Sequence, residues 1–152
     1  IVGDGRAKPQ VAEQVTKRGL GSVVTLLDRR PIESMPALFQ AADALLVSLR
    51  PDPIFSMTIP GKVQSYLAAG VPILAMLDGE GARVIAEAEA GFVSPAGHGQ
   101  MLAEQALRLL NTPPSERAAM GARGRAYAAR EFNRERLVKT LEQELAELSG
   151  ST

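Results

Sequence analysis

The chain contains no cysteine and a single histidine, His98. The first absence excludes disulfides, thiolate catalysis and cysteine-ligated metals. The second excludes a multi-histidine metal centre within this segment. Charge of either sign is not in excess, with 17 Lys and Arg against 17 Asp and Glu. Bulk electrostatic attraction to nucleic acid or to an anionic membrane is therefore not expected. No apolar run approaches the roughly 20 residues that a membrane span needs. No internal repeat, low-complexity tract or internal linker is visible. The chain opens on Ile1 rather than Met, and Ile1-Val2-Gly3-Asp4-Gly5 reads as the end of a strand already under way. A fragment of a longer protein is expected, so the absence of a signal peptide carries no information.

What is present suits one globular domain over residues 1–152. A length of 152 residues leaves room for a core, and 45% hydrophobic with 22% charged residues is ordinary for a folded domain. Helical and strand-like segments alternate. Residues 7–18 suit a helix, with Val11 and Val15 four apart, closed by Gly19 and Gly21. Residues 22–27 are β-branched and apolar and read as a strand. Residues 33–42 suit a short helix with Pro36 near its start, and 44–49 a buried strand. Residues 50–59, with Pro51 and Pro53 and no helical stripe, read as a loop. A helix ending at Gly70 leads to a strand at 73–77, whose apolar run suits burial on both faces. A helix over 82–90 is expected to end at Gly91, followed by a minimal strand at 92–93. Three helices close the chain: 99–110; one capped by Ser115 and running to about Arg130; and one capped by Asn133. The last carries Leu137, Leu141, Leu145 and Leu148, a stripe that either covers the sheet or has lost its partner. Residues 149–152 read as a frayed tail. This alternation implies a Rossmann-like, three-layer α/β domain with a parallel sheet and right-handed crossovers. Ligands in such sheets bind beyond the carboxyl ends of the strands. The loops after Gly3, Leu27, Leu49 and Leu77 are thus expected on one rim.

The most informative stretch is Pro60-Gly61-Lys62-Val63-Gln64-Ser65-Tyr66-Leu67-Ala68-Ala69-Gly70-Val71-Pro72-Ile73-Leu74-Ala75. It opens a helix onto a loop, and the first N–H groups of a helix lack partners, which suits an anion such as phosphate. Lys62 in the first turn opposes the helix dipole, a local conflict expected where an anion is held. Gly3-Asp4-Gly5 lies between strand and helix but lacks the third glycine of the dinucleotide fingerprint, and no acid stands about 20 residues on. A nicotinamide cofactor is not expected. The turn suits either tight chain reversal or ligand contact at Gly5. Arg29 and Arg30 at a strand tip suit phosphate or base contact, or a solvated turn. The loop Arg50-Pro51-Asp52-Pro53-Ile54-Phe55-Ser56-Met57-Thr58-Ile59 is unusually apolar, which suits a binding wall, a flap, or packing under a neighbouring loop. Asp78-Gly79-Glu80-Gly81 offers two carboxylates for sugar hydroxyls, or a helix cap. His98 has no local partner and reads as a surface residue.

The run from Pro60 to Ala75 resembles the donor-site segment of retaining GT-B glycosyltransferases of the glycosyl transferase group 1 family. Val2-Gly3-Asp4-Gly5, Met35-Pro36-Ala37-Leu38-Phe39-Gln40-Ala41-Ala42-Asp43-Ala44-Leu45-Leu46-Val47 and Ala90-Gly91-Phe92-Val93-Ser94-Pro95 resemble other segments of that family, in the same order and spacing. Arg50-Pro51-Asp52-Pro53-Ile54-Phe55, Thr58-Ile59-Pro60-Gly61-Lys62-Val63-Gln64-Ser65-Tyr66 and Leu77-Asp78-Gly79-Glu80-Gly81-Ala82-Arg83 resemble the branch that builds bacterial surface polysaccharides from N-acetylated amino sugars of the L-fucosamine type. The resemblance implies the C-terminal, nucleotide-sugar-binding half of a GT-B enzyme. The N-terminal acceptor lobe and the first strand of this half are missing, and the isolated fragment is expected to be inactive. A UDP-linked donor is expected, with no cofactor and no metal, and a lipid-linked or glycan acceptor. A cytoplasmic location is implied, peripheral to the inner face of the plasma membrane through the missing lobe. Donor contacts are expected from Gly5, Arg29, Arg30, Met35, Thr58, Ile59, Pro60, Gly61, Lys62, Ser65, Asp78 and Glu80, with the base against residues 28–31. Catalytic residues are not assigned. Many members carry two glutamates separated by seven residues; these positions fall on Met57 and Ser65, neither acidic. Gln64 is a candidate to share the ribose contact, and Asp78 or Glu80 the sugar contact. A sugar-nucleotide epimerase lobe of the same fold and a non-catalytic nucleotide-binding or scaffolding module are the alternatives.

Overall fold

The computed structural model describes residues 1–150, and the chain divides into two compact units, Ile1–Leu38 and a second from Phe39 onward. In the first unit, α1 (Lys8–Lys17) begins with Pro9 in its opening turn, where a missing N–H costs nothing. The strand expected over 22–27 does not form. Val23 and Val24 N–H both turn back to Leu20 O, and Leu27 makes one isolated parallel bridge to Val2. The β-branched run finds no long partner here, and strand propensity acts only through pairing and packing. A 3₁₀ turn (Ile32–Ser34) leads into α2 (Met35–Gln40), so the helix expected at 33–42 is present but shorter. Lys8 Nζ donates to Asp28 Oδ1, and this bond, with the Lys8 charge behind it, lowers the Asp28 pKa.

The second unit is built on a parallel sheet in the order β1 (Leu45–Ser48), β2 (Ile73–Met76), β3 (Gly91–Ser94). Leu45, Ile73 and Gly91 stand in register, as do Leu46, Leu74 and Phe92. The period of two then sorts the side chains. Val47, Ile73 and Ala75 are buried on one face with Val63 and Leu67 of α4 (Gly61–Ala69) and Val84 and Ile85 of α5 (Glu80–Glu87). On the opposite face, Arg108 of α6 (Gly99–Leu110) lies over the Phe92 ring at 4.1 Å. Helices thus cover both faces, the three layers that strand–helix alternation implies. β2 is sealed on only one side: Ile73 and Ala75 are buried, while Leu74 and Met76 are half-buried. Leu46 remains 52% exposed because α6 covers β2 and β3 and not β1.

Helix boundaries follow local chemistry. Gly70 closes α4 in the left-handed conformation at φ 69°. Pro60 is extended and stands at the N-cap position, so Gly61 is the first helical residue. A short helix, α3 (Pro53–Ser56), interrupts what the sequence suggests is plain loop; Asp52 caps it by accepting from Ile54 N at 2.9 Å. α5 starts at Glu80, two residues early, and ends before Glu89, whose φ is 48°. Gly91 belongs to β3 and does not end that helix. α7 (Pro114–Glu131) opens on Pro114 with no side-chain cap, so Ser115 lies inside the first turn. Asn133 does cap α8 (Arg134–Gly150), accepting from Arg136 N at 2.9 Å. Ser149 and Gly150 are helical; Ser151 and Thr152 lie outside the described residues. The leucine stripe of α8 does not cover the sheet: Leu137, Leu141, Leu145 and Leu148 are all exposed. Among the described residues no helix is long and apolar enough to cross a membrane.

α7 lies close on α4. A Cβ added at Gly121 would stand 2.1 Å from Gly70 O, and one at Gly124 would stand 3.2 Å from Leu67 Cδ2. Arg125 NH2 and Gln40 Nε2 donate to Ala69 O at 2.8 and 2.6 Å, placing a cation and an amide at the negative end of α4. Tyr127 is buried and its hydroxyl donates to Glu87 at 3.1 Å; burial first, then Glu87, raises its pKa. Near the strand tips, a Cβ at Gly79 (φ 71°) would stand 1.9 Å from Ser56 O.

Gly121→Ala and Gly79→Ala should each lower stability by roughly 1–3 kcal/mol, because backbone must move in both cases; denaturant midpoints check this. Lys8→Met should return Asp28 toward its ordinary value of 3.8, read by NMR titration. Since the folded pKa is depressed, the ion pair favours the fold above that ordinary value and loses its effect as pH falls through the lower folded one.

Candidate functional site

In the second unit the carboxyl ends of β1, β2 and β3 form one rim. Leu49 N donates to Met76 O at 2.9 Å and Leu77 N to Ser94 O at 3.1 Å, so each strand hands the next its final ladder bond. Ser94 is buried and its hydroxyl donates to Ala75 O at 2.9 Å. Past the strands, Asp78 Oδ1 accepts from Ala96 N at 3.1 Å and fastens the turn after β2 to the turn after β3. The loop after β1 packs on both turns: Ser56 against Gly79, Pro60 against Gly81, and Pro51 against Gly97. The loop and the N-termini of α4 and α5 are thereby gathered at one place.

The start of α4 is open. Pro60 offers no side-chain cap, the first turn holds no acid, and the first helical backbone bond runs from Val63 N to Pro60 O at 2.8 Å. The N–H groups of Gly61 and Lys62 therefore precede the helical ladder and present the positive end of the helix. A Cβ at Gly61 would meet nothing within 4 Å, so a ligand can approach this backbone directly. Lys62 is exposed and forms no ion pair among the described residues. Thr58 Oγ1 is turned onto Ile54 O and Phe55 O, at 3.3 and 3.4 Å, and Ile59 is half-buried.

The two carboxylates of the Asp78-Gly79-Glu80-Gly81 turn are less available than the sequence suggests. Asp78 holds Ala96 N, and Glu80 Oε2 accepts from Arg83 Nε and NH2 at 3.0 and 2.9 Å. Arg83 also reaches Glu87 at 2.5 Å. The bond to Glu80, then its charge, raises the Arg83 pKa further and keeps it cationic. Ser65 spends its hydroxyl proton on Gly61 O at 3.0 Å. It lies with Gln64 in a groove of about 410 Å³ between α4 and the end of α7, where Arg125, Phe132 and Asn133 also lie.

Gly5, Arg29, Arg30 and Met35 belong to the first unit. Gly5 lines an apolar cavity of about 180 Å³ with Val2, Val11 and Leu27, and its carbonyl accepts from Lys8 N at 2.9 Å. Arg29 and Arg30 are exposed and Met35 half-buried. His98 is exposed at the N-cap position of α6 without a capping bond. Two features escape the sequence reading. Asp52-Pro53 carries the cap-then-proline signal of a helix start and announces α3. Gly121 and Gly124, three apart in an otherwise charged helix, mark where α7 meets α4 and shapes the groove. Chemically, the rim joins an open helix N-terminus to an unpaired lysine, an arrangement suited to an anion such as a diphosphate.

Comparison with known proteins bears on the fold and the family. Two crystal structures of Anabaena Alr3699/HepE, one in complex with UDP-glucose and one with UDP and glucose, each superpose with a TM-score of 0.75 at 24% identity. The match covers 99% of this chain and 40% of that one. WaaG, a glycosyltransferase involved in lipopolysaccharide biosynthesis, gives a TM-score of 0.67 at 26% identity over 86% of this chain and 33% of that one. The chain thus spans well under half the length of these proteins, and the likeness to HepE is one of fold: a parallel α/β lobe flanked by helices. No curated protein matches the chain by sequence. Residues 1–112 match the family described as glycosyl transferases group 1. The chain, matched over most of its length, belongs to the glycosyl transferase group 1 family.

Proposed function

We propose that this chain is the C-terminal, donor-binding lobe of a retaining GT-B glycosyltransferase, and that its donor is a UDP-linked N-acetyl amino sugar. The observation that carries this reading is the open start of α4, where Gly61 and Lys62 present backbone N–H groups and a free cation at the sheet's carboxyl rim. A diphosphate seated there gains from helix dipole and lysine alike. When the glycosidic bond breaks, negative charge grows on the departing UDP. Donors already aimed at that position stabilise the charge without reorganising, which is electrostatic catalysis. UDP and UDP-glucose bound to HepE support a uridine donor. The L-fucosamine-type branch, suggested by residues 50–55, 58–66 and 77–83, supports the amino sugar and a polysaccharide or lipid-linked acceptor. On this reading the acceptor lobe supplies the remaining groups.

Position 65 qualifies the ribose contact. Ser65 has one hydroxyl, bonded to Gly61 O, where a carboxylate would offer two acceptors. Gln64, beside it on the same groove, shares that contact on this reading. The missing acids at 57 and 65 favour a second reading, a nucleotide-binding module without catalysis.

The 152-residue chain is expected to bind UDP weakly and to transfer no sugar. Calorimetry should show UDP preferred over GDP and ADP, and Lys62→Ala should weaken UDP about tenfold or more, the scale of a charge-assisted bond. Failure of all three nucleotides to bind would remove the donor-site reading. Equal UDP affinity of wild type and Lys62→Ala would remove Lys62 from it.

A further inference from the structure

We draw no further inference here: the strongest candidate, the exposed leucine face of α8 formed by Leu137, Leu141, Leu145 and Leu148, is an unpartnered apolar helix face, and nothing in the structure shows what covers it.

Discussion

The seating of α4 between the sheet and α7 is the constraint on which the second unit depends. Val63 and Leu67 are fully buried on one flank, facing Ile73 and Ala75 of β2 and Val84 and Ile85 of α5. Gly121 and Gly124 let α7 come down on the other. The two ends of α4 are then treated differently. At its C-terminus the Ala69 carbonyl receives Arg125 and Gln40 and Gly70 closes the turn, so the negative end is satisfied. At its N-terminus there is no side-chain cap and no acid, only Lys62. A helix whose buried flank and far end are both secured can leave its near end unsatisfied, and that end is where the diphosphate is proposed to lie.

The turn after β2 joins this helix to the rest of the rim. Asp78 ties it to the turn after β3, Gly79 leaves room for the Ser56 carbonyl where any side chain would clash, and Gly81 lies beside Pro60. These contacts engage one oxygen of Asp78, a group that, read as sequence, looks wholly free to meet a sugar. Glu80 is similarly drawn onto Arg83, which continues to Glu87 and so to Tyr127. The rim combines backbone N–H groups and one lysine with two carboxylates that are each bonded through one oxygen.

Much of this was legible along the chain. The helix Gly61–Ala69 was legible because a proline before it and a glycine after it agree. β1, β2 and α6 were legible as apolar runs or stripes of the right period, and Asn133 as a cap. The errors have two causes, long-range pairing and a local competitor. Residues 22–27 have the composition of a strand but meet only Val2 in a single bridge, and composition cannot report a partner. Gly91 looks like a helix stop, yet it is the first residue of β3, where a side chain would strike the Ile73 backbone. Ser115 looks like a cap, but Pro114 already has the backbone angle that starts a helix.

The sequence by itself determined the α/β class, the position of α4 and the presence of a cation in its first turn, because periodicity, glycine and proline act locally. It also determined that no acid stands at 57 or 65. Only the tertiary structure decided which polar groups remain available. Asp78, Glu80, Thr58 and Ser65 each find a partner through loop packing or helix geometry, while Lys62, Ile54 and Met57 are left facing outward. The bonds of Glu80, Thr58 and Ser65 close within four residues, but the Asp78–Ala96 bond joins distant turns and depends on where the backbone finally lies, which no local pattern of residues encodes.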